Sequence, residues 1–305
     1  MSTRITQAAL DLLTDLADYR ILSLSQTAHL HFGGKRAARR RMEQLMKEGL
    51  VEPLPWPPMQ RGGRPENVYG LSKAGFQLLR SQSVLDDRLA FEQVGGGNLN
   101  HQIAHQLLLG WCRLHIVHLC RTPSQLQVKL LSCNSPLALS PETGLPLVRT
   151  EIDGSGDGPA VYLTPDAAFV ITDTAQPKSV LFFLEVDMGT EPLSSEDGGD
   201  IREKVFRYKQ YFRAKGYKRY ETIWNVPLNG FRLLFVTHSA SRLGPISAAI
   251  KSMSPSDFVW TTSADRMFEE GISGCIWVPG GRSEHAAESI LGGLARPVPL
   301  PALIE

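Results

Sequence analysis

The run SVLFFLEVDMG, from Ser179 to Gly189, constrains the fold more than any other stretch. It is apolar at consecutive positions up to Glu185, so a strand there buries both of its faces. Such a strand sits in the middle of a sheet and needs partners on either side. The chain supplies candidates in LQVKLLSC, VYLTPDAAFVIT, FRLLFVTHS and FVWTTSADR, with CIWVPG after them. The second of these is expected as one strand with its Pro-Asp in the middle. DIREKVFRYKQYFRAKG predicts a helix with Ile201, Val205, Tyr208, Tyr211 and Phe212 on one face, and RLGPISAAIKSM predicts another. Preceded by an apolar helix in NLNHQIAHQLLLGWCRLHIVHLC, the order is α-β-β-β-α-β-α-β.

The N-terminal part has a different pattern. Ala9, Leu12, Leu13 and Leu16 fall at helical spacing, and a short second helix starts at Ser23 or Ser25 as cap. After Gly33-Gly34, a third helix carries Ala38, Met42, Leu45, Met46 and Leu50 on one face. Lys35, Arg36, Arg39 and Arg40 cluster in the first turns of its opposite face, and Gly49 ends it. VEPLPW and NVYGLS form a strand pair whose connecting loop holds Arg61 and Arg64 around two glycines, and Ser72 caps a fourth helix. Helices, a basic helix and a basic, glycine-rich hairpin are the parts of a winged helix-turn-helix. The basic helix suits the major groove and the hairpin tip suits phosphates or the minor groove. The phrase EGLVEP…GGRPENVYGLSKAG resembles the strand–wing–helix ending of MarR-like and PadR-like domains. The four basic residues of the helix, with Arg61 and Arg64, are the candidate contacts to double-stranded DNA.

The net charge of +1 hides alternating blocks. Residues 20–80 carry +7, residues 141–203 carry −10, and residues 204–219 carry seven bases and no acid. Blocks of this kind speak of partners, where the total does not. KVFRYKQYFRAKGYKRY interleaves bases with aromatics. That pattern suits either a nucleic-acid track over Lys209, Arg213, Lys215 and Lys218, or an amphipathic helix packed on the sheet.

The 305 residues divide into two domains. The expected boundaries are a winged helix-turn-helix over 1–85, a linker over 86–99 around Gly95-Gly96-Gly97, a second domain over 100–280 and a tail over 281–305. His101, His105, Cys112 and His115 recur along one helix but lack the grouping of a zinc motif, and read as a packed helix. Four cysteines without a CxxC pair suit free thiols in a reducing compartment. With no long apolar run and an acid-bearing amphipathic N-terminus, the expectation is a cytoplasmic protein without a membrane partner.

Pro165-Asp166 lies 19 residues before Glu185, and Asp187 follows at i+2. Carboxylates at the ends of neighbouring strands can share a divalent cation, and hard oxygen donors suit Mg²⁺ or Mn²⁺. This order and pair resemble the PD-(D/E)XK, restriction-endonuclease-like fold. The stretch LTPDAAFVI…FFLEVDMGTEPL…IREKVFRYKQY looks more specifically like the replication-relaxation family. That resemblance implies an α+β chain: a winged helix-turn-helix followed by a nuclease-like α/β domain with a mixed central sheet. It implies Asp166, Glu185 and Asp187 as metal ligands and as catalytic residues together with a lysine. Asp187 stands where the nuclease pattern has its lysine, and Lys204 on the next helix is the candidate replacement. The function it implies is DNA binding in plasmid or mobile-element replication, mobilisation or its regulation. Two alternatives stand beside it: a metal-dependent endonuclease or nickase, with Mg²⁺ or Mn²⁺ as cofactor and none otherwise, and a dimeric transcriptional regulator or adaptor with an inactive nuclease-like domain. A homodimer and replication or mobilisation proteins are the expected further partners.

Overall fold

The structure is a computed structural model. It describes residues 5–55, 66–99, 102–119, 125–152, 161–176, 178–189, 200–292 and 300–301. The chain is a mixed α+β protein of two compact units. Unit 1 comprises Met1–Leu114, Asn134–Pro146 and Pro301–Glu305; unit 2 comprises His115–Cys133 and Leu147–Leu300.

Unit 1 begins with α1 (Gln7–Tyr19), whose Ala9, Leu12, Leu13 and Leu16 are buried as their spacing predicts. A three-residue strand β1 (Ile21–Ser23) follows. Ser23 then caps α2 (Leu24–His31) in a reciprocal capping box with Gln26. The basic helix α3 (Lys35–Lys47) buries Ala38, Met42 and Leu45. Gly49 takes a left-handed φ of 73° and turns the chain into β2 (Val51–Leu54). With β3 (Val68–Leu71) the three strands form an antiparallel sheet in the order β1-β3-β2. Ser72 caps α4 (Lys73–Ser81) by accepting from the Gly75 N–H.

Residues 86–99, a linker by sequence, carry α5 (Phe91–Val94) and a 3-10 turn over Gly96–Asn98. Leu99 is buried with Ile21, Val68 and Ile103. The unit then runs into α6 (Ile103–His118) as far as Leu114. Three polar contacts explain that: the Gln106 amide donates to the Tyr19 carbonyl at 3.1 Å, Gln26 donates to the Leu107 carbonyl at 2.8 Å, and Arg113 pairs with Asp18. None of these partners is near in sequence, so composition alone read the glycines as a boundary.

Unit 2 is built on a six-stranded mixed sheet. Its strands are β4 (Leu126–Ser132), β7 (Ala167–Asp173), β8 (Lys178–Asp187), β9 (Phe231–Thr237), β10 (Val259–Ser263) and β11 (Val278–Pro279). A separate hairpin pairs β5 (Thr150–Ile152) with β6 (Val161–Leu163). The sheet order is β11-β10-β9-β8-β7-β4. β8, β9 and β10 are parallel, and the outer pairings are antiparallel. Parallel neighbours need crossovers. Helices α7 (Ile201–Arg213) and α8 (Arg219–Trp224) supply one, and α9 (Ala240–Lys251) supplies the next.

The apolar run SVLFFLEVD therefore lies in β8, inside the sheet as expected. VYLTPDAAFVIT is not one strand: it divides into β6 and β7 around Thr164-Pro165-Asp166. A proline has no N–H to give a ladder, which ends pairing there. FVWTTSADR likewise ends as a strand at Ser263, which caps α10 (Ala264–Glu270). The tail shows a 3-10 turn at Glu284–Ala286.

The period of two along β8 turns Leu181, Phe183 and Glu185 to one face. Phe183 is the hub of that face, with ring centroids 5.4 Å from Tyr208, 5.9 Å from Tyr211, 5.5 Å from Tyr220 and 4.9 Å from Phe231. Burial of such a ring contributes roughly 1.5–3 kcal/mol. Phe212, placed on the packed face by sequence, points outward and is 47% exposed. Tyr208 and Tyr211 already fill the space between α7 and the sheet.

Candidate functional site

Two groups of side chains stand out, one in each unit. In unit 1, the packed face of α3 leaves Arg36, Arg39 and Arg40 exposed, with Lys35 half-buried. No carboxylate among the described residues pairs with Arg36, Arg39 or Arg40. The next arginine differs: Arg41 donates to Gln44 at 2.7 Å and to Thr6 at 3.2 Å. The first turn of α3 has no acid and its cap, Gly34, offers no side-chain acceptor. The positive end of the helix dipole therefore adds to the arginine charges. Arg61 and Arg64 lie outside the described residues.

In unit 2, the β7–β8 register pairs Ala167 with Leu184. One residue further, Asp166 stands opposite Glu185. Two bonds anchor the backbone of Asp166 to the end of β4: its carbonyl accepts from the Cys133 N–H at 3.0 Å and the Ser132 hydroxyl at 3.3 Å. Its Oδ2 accepts from the Val186 N–H at 2.8 Å.

Glu185 is 4% exposed on the aromatic face of β8. The Tyr208 hydroxyl donates to Oε1 at 2.6 Å, and the Lys204 ammonium lies 3.2 Å from Oε2. Lys204 and Tyr208 are one helical turn apart, so α7 presents both to the same carboxylate. Burial pushes the Glu185 carboxyl up to about 7, and the Asp166 charge adds to that; Lys204 and the Tyr208 hydrogen bond pull the other way. Burial, then the charge of Glu185, holds the Tyr208 phenol well above its ordinary value. A recess of about 220 Å³ opens beside this cluster, lined by Tyr162, Thr164, Glu185, Asp200, Lys204 and Arg207.

The structure thus brings Asp166, Glu185 and Lys204 together and leaves Asp187 out. Asp187 ends β8 on the same face as Glu185, but it is buried against Arg242. The guanidinium donates from Nε at 2.9 Å and from Nη2 at 3.4 Å. No group of three or more His, Cys, Asp or Glu residues with metal-site geometry occurs among the described residues. A cation held by all three predicted acids does not fit. Asp166 and Glu185 remain as two oxygen donors on neighbouring strands, close enough for the Asp166 charge to act on Glu185, and oxygen donors are the kind that Mg²⁺ takes.

The Lys204-x-x-x-Tyr208 spacing on α7 is legible in the sequence, and the structure adds that Tyr208 donates to the same carboxylate that Lys204 pairs with. One partner is not legible: Arg242, 55 residues beyond Asp187, carries no signal in the sequence.

Comparison with known proteins finds one family: residues 13–226 match the family described as Replication-relaxation. No curated protein and no solved structure matches the chain.

Proposed function

The chain belongs to the replication-relaxation family, and on that premise we propose that it is a DNA-binding protein acting in plasmid or mobile-element replication, mobilisation or its regulation. Its N-terminal unit is a winged helix-turn-helix whose α3 enters the major groove of double-stranded DNA. The observation that carries this reading is the set Arg36, Arg39 and Arg40, exposed and without a carboxylate partner among the described residues. Three arginines facing water without a carboxylate to offset them suit a surface that meets phosphates. The order α1-β1-α2-α3-β2-β3-α4 supports the same reading. Fluorescence anisotropy on a labelled random-sequence duplex tests it. Wild type is expected to bind with strong salt dependence, and Arg39→Ala/Arg40→Ala to bind far more weakly. Equal binding by both proteins would remove the reading.

A second reading, a metal-dependent endonuclease or nickase on a PD-(D/E)XK-like domain, draws support from the convergence of Asp166, Glu185 and Lys204. Asp166 and Glu185 would hold Mg²⁺ or Mn²⁺, which supplies polarisation of a phosphodiester oxygen and acidification of a water there. Lys204, fixed by Glu185 at the edge of the recess, places a positive charge beside a phosphate that gains negative charge during attack. Tyr208 keeps the Glu185 side chain in one orientation by donating to Oε1. Nicking of supercoiled plasmid tests this reading. Activity with either ion that Asp166→Asn and Glu185→Gln abolish is the expected result. Activity unaffected by both substitutions, or none with either ion, counts against it.

A further inference from the structure

Seven bases occupy residues 204–219, and three of them pair with a carboxylate. Lys204 pairs with Glu185, Arg207 with Glu203 and Lys218 with Glu221, while Arg219 donates to the Arg149 carbonyl at 2.8 Å. Lys209, Arg213 and Lys215 have no carboxylate partner among the described residues. All three lie within three residues of Phe212, the ring that turned out of the core.

Phe212 forms one wall of a cleft of about 150 Å³, with Phe231, Phe258 and Pro255 as the other walls and Lys209 and Arg213 beside them. The rings are set on edge to one another. Phe231 lies 5.9 Å from Phe212 at 69° and 5.9 Å from Phe258 at 87°. Phe212 is held from behind by Tyr217, stacked at 5.5 Å and 14°, so the exposed ring has a defined orientation. Lys209 donates to the Met253 carbonyl at 2.9 Å and the Ser254 carbonyl at 3.3 Å. An ammonium has three donors, so one is left. Burial, then the nearby Arg213 charge, lowers the Lys209 pKa from its ordinary value. The two cations repel each other, and an anion placed between them is favoured by both.

A slot of aromatic walls beside paired cations matches a flat, apolar-faced ring that carries a phosphate. In a duplex the faces of the bases are covered by their neighbours, whereas a single strand offers them. We propose that the Phe212 cleft is a docking site for an unstacked base of single-stranded DNA, with the base against Phe212 and Phe258 and its phosphate between Lys209 and Arg213. The proposal rests on the DNA-binding reading and adds a second mode of contact, on unit 2, separate from the duplex surface of α3.

The test uses the full chain in EDTA with 5′-fluorescein-labelled dT15, alongside the labelled duplex. Phe212→Ala and Arg213→Glu are each expected to weaken dT15 binding by about tenfold or more. Phe212→Trp keeps it, because a ring is retained. Both altered residues are exposed, so thermal melting like that of wild type is expected. The Arg39→Ala/Arg40→Ala protein keeps dT15 binding while losing the duplex. A dT15 carrying one 5-iododeoxyuridine, crosslinked by ultraviolet light, is expected to label the peptide containing Phe212 or Phe258. Wild-type affinity for dT15 in both variants, no dT15 binding in wild type, or crosslinks confined to other peptides would overturn the proposal and leave the duplex reading standing. Tighter binding of an acidic, phenylalanine-containing peptide than of dT15 would overturn it too, and would assign the cleft to a protein partner. Failure of the duplex arm alone would remove the α3 reading and not this one.

Discussion

Arg242 grips Asp187 from the first turn of α9, and both side chains are largely buried. That contact separates two acids which stand only two residues apart on the same strand. Glu185 turns to α7, where Lys204 and Tyr208 meet it, and Asp187 turns to α9. A carboxylate held by a two-nitrogen guanidinium contact has little left to offer a cation.

Removing the arginine exposes what the pair does. Arg242→Leu leaves a buried charge without compensation, and breaking one side of such a pair costs about 3–5 kcal/mol. Asp187→Asn/Arg242→Leu removes both charges and is expected to be less destabilised than the single variant. Urea unfolding of the two proteins measures the difference. A single variant as stable as wild type would mean that Asp187 is not buried against Arg242 in solution.

Glu185 predicts a pH dependence. Its folded pKa of about 7 stands above its ordinary value of 4.5. The native state therefore holds a proton that the unfolded chain has lost between those two values. Stability is expected to fall as pH rises from about 4.5 to 7, by roughly 3 kcal/mol from this group. In EDTA, Glu185→Gln removes that slope and becomes the more stable protein at pH 8 relative to pH 5. Adding Mg²⁺ at pH 8 is expected to restore part of the loss in wild type and none in the variant. Parallel stability curves for the two proteins from pH 4.5 to 8 would contradict the environment assigned to this carboxylate.

The α3 surface predicts a salt effect as well as an affinity loss. Each phosphate neutralised contributes about 0.9 to the slope of log K against log salt. Arg39→Ala/Arg40→Ala is expected to make the slope shallower by about 2 on a random duplex. A loss of affinity with an unchanged slope would point to a disturbed helix and not to missing phosphate contacts.

Gly75 tests the packing of α4 in unit 1. Helix propensity alone favours alanine there by about 1 kcal/mol. An added Cβ would lie 2.2 Å from the Leu50 carbonyl oxygen and 2.8 Å from Leu71 Cδ1. Overpacking of this kind costs about 1–3 kcal/mol, and the near atom is backbone, so the clash outweighs the propensity. Gly75→Ala is expected to lower the melting temperature. A rise would show that α4 moves freely against the β2 end.

Much of the fold was legible from local pattern. The central position of β8, the caps at Ser23 and Ser72, the turn at Gly49 and the basic face of α3 follow from rules that act within a few residues. β1 was not legible, because three residues are too few to show a period. The hidden break in VYLTPDAAFVIT lay in a known proline, but apolar flanks on both sides masked it. The segment 86–99 looked like a linker because its glycines are local and its partners, Ile21 and Val68, are distant.

The sequence by itself determined which residues carry charge, which carry rings, and that acids and bases alternate in blocks. It also carried the family, through a stretch long enough to match over residues 13–226. Only the tertiary structure decided which of these groups meet. Strand register set Asp166 opposite Glu185, a helical turn brought Lys204 and Tyr208 to it, and a helix 55 residues away took Asp187. Phe212 was turned outward because Tyr208 and Tyr211 had filled the space beneath α7. Pattern rules act along the chain over a turn or two, whereas register and packing act across it, and the site is made by the second kind.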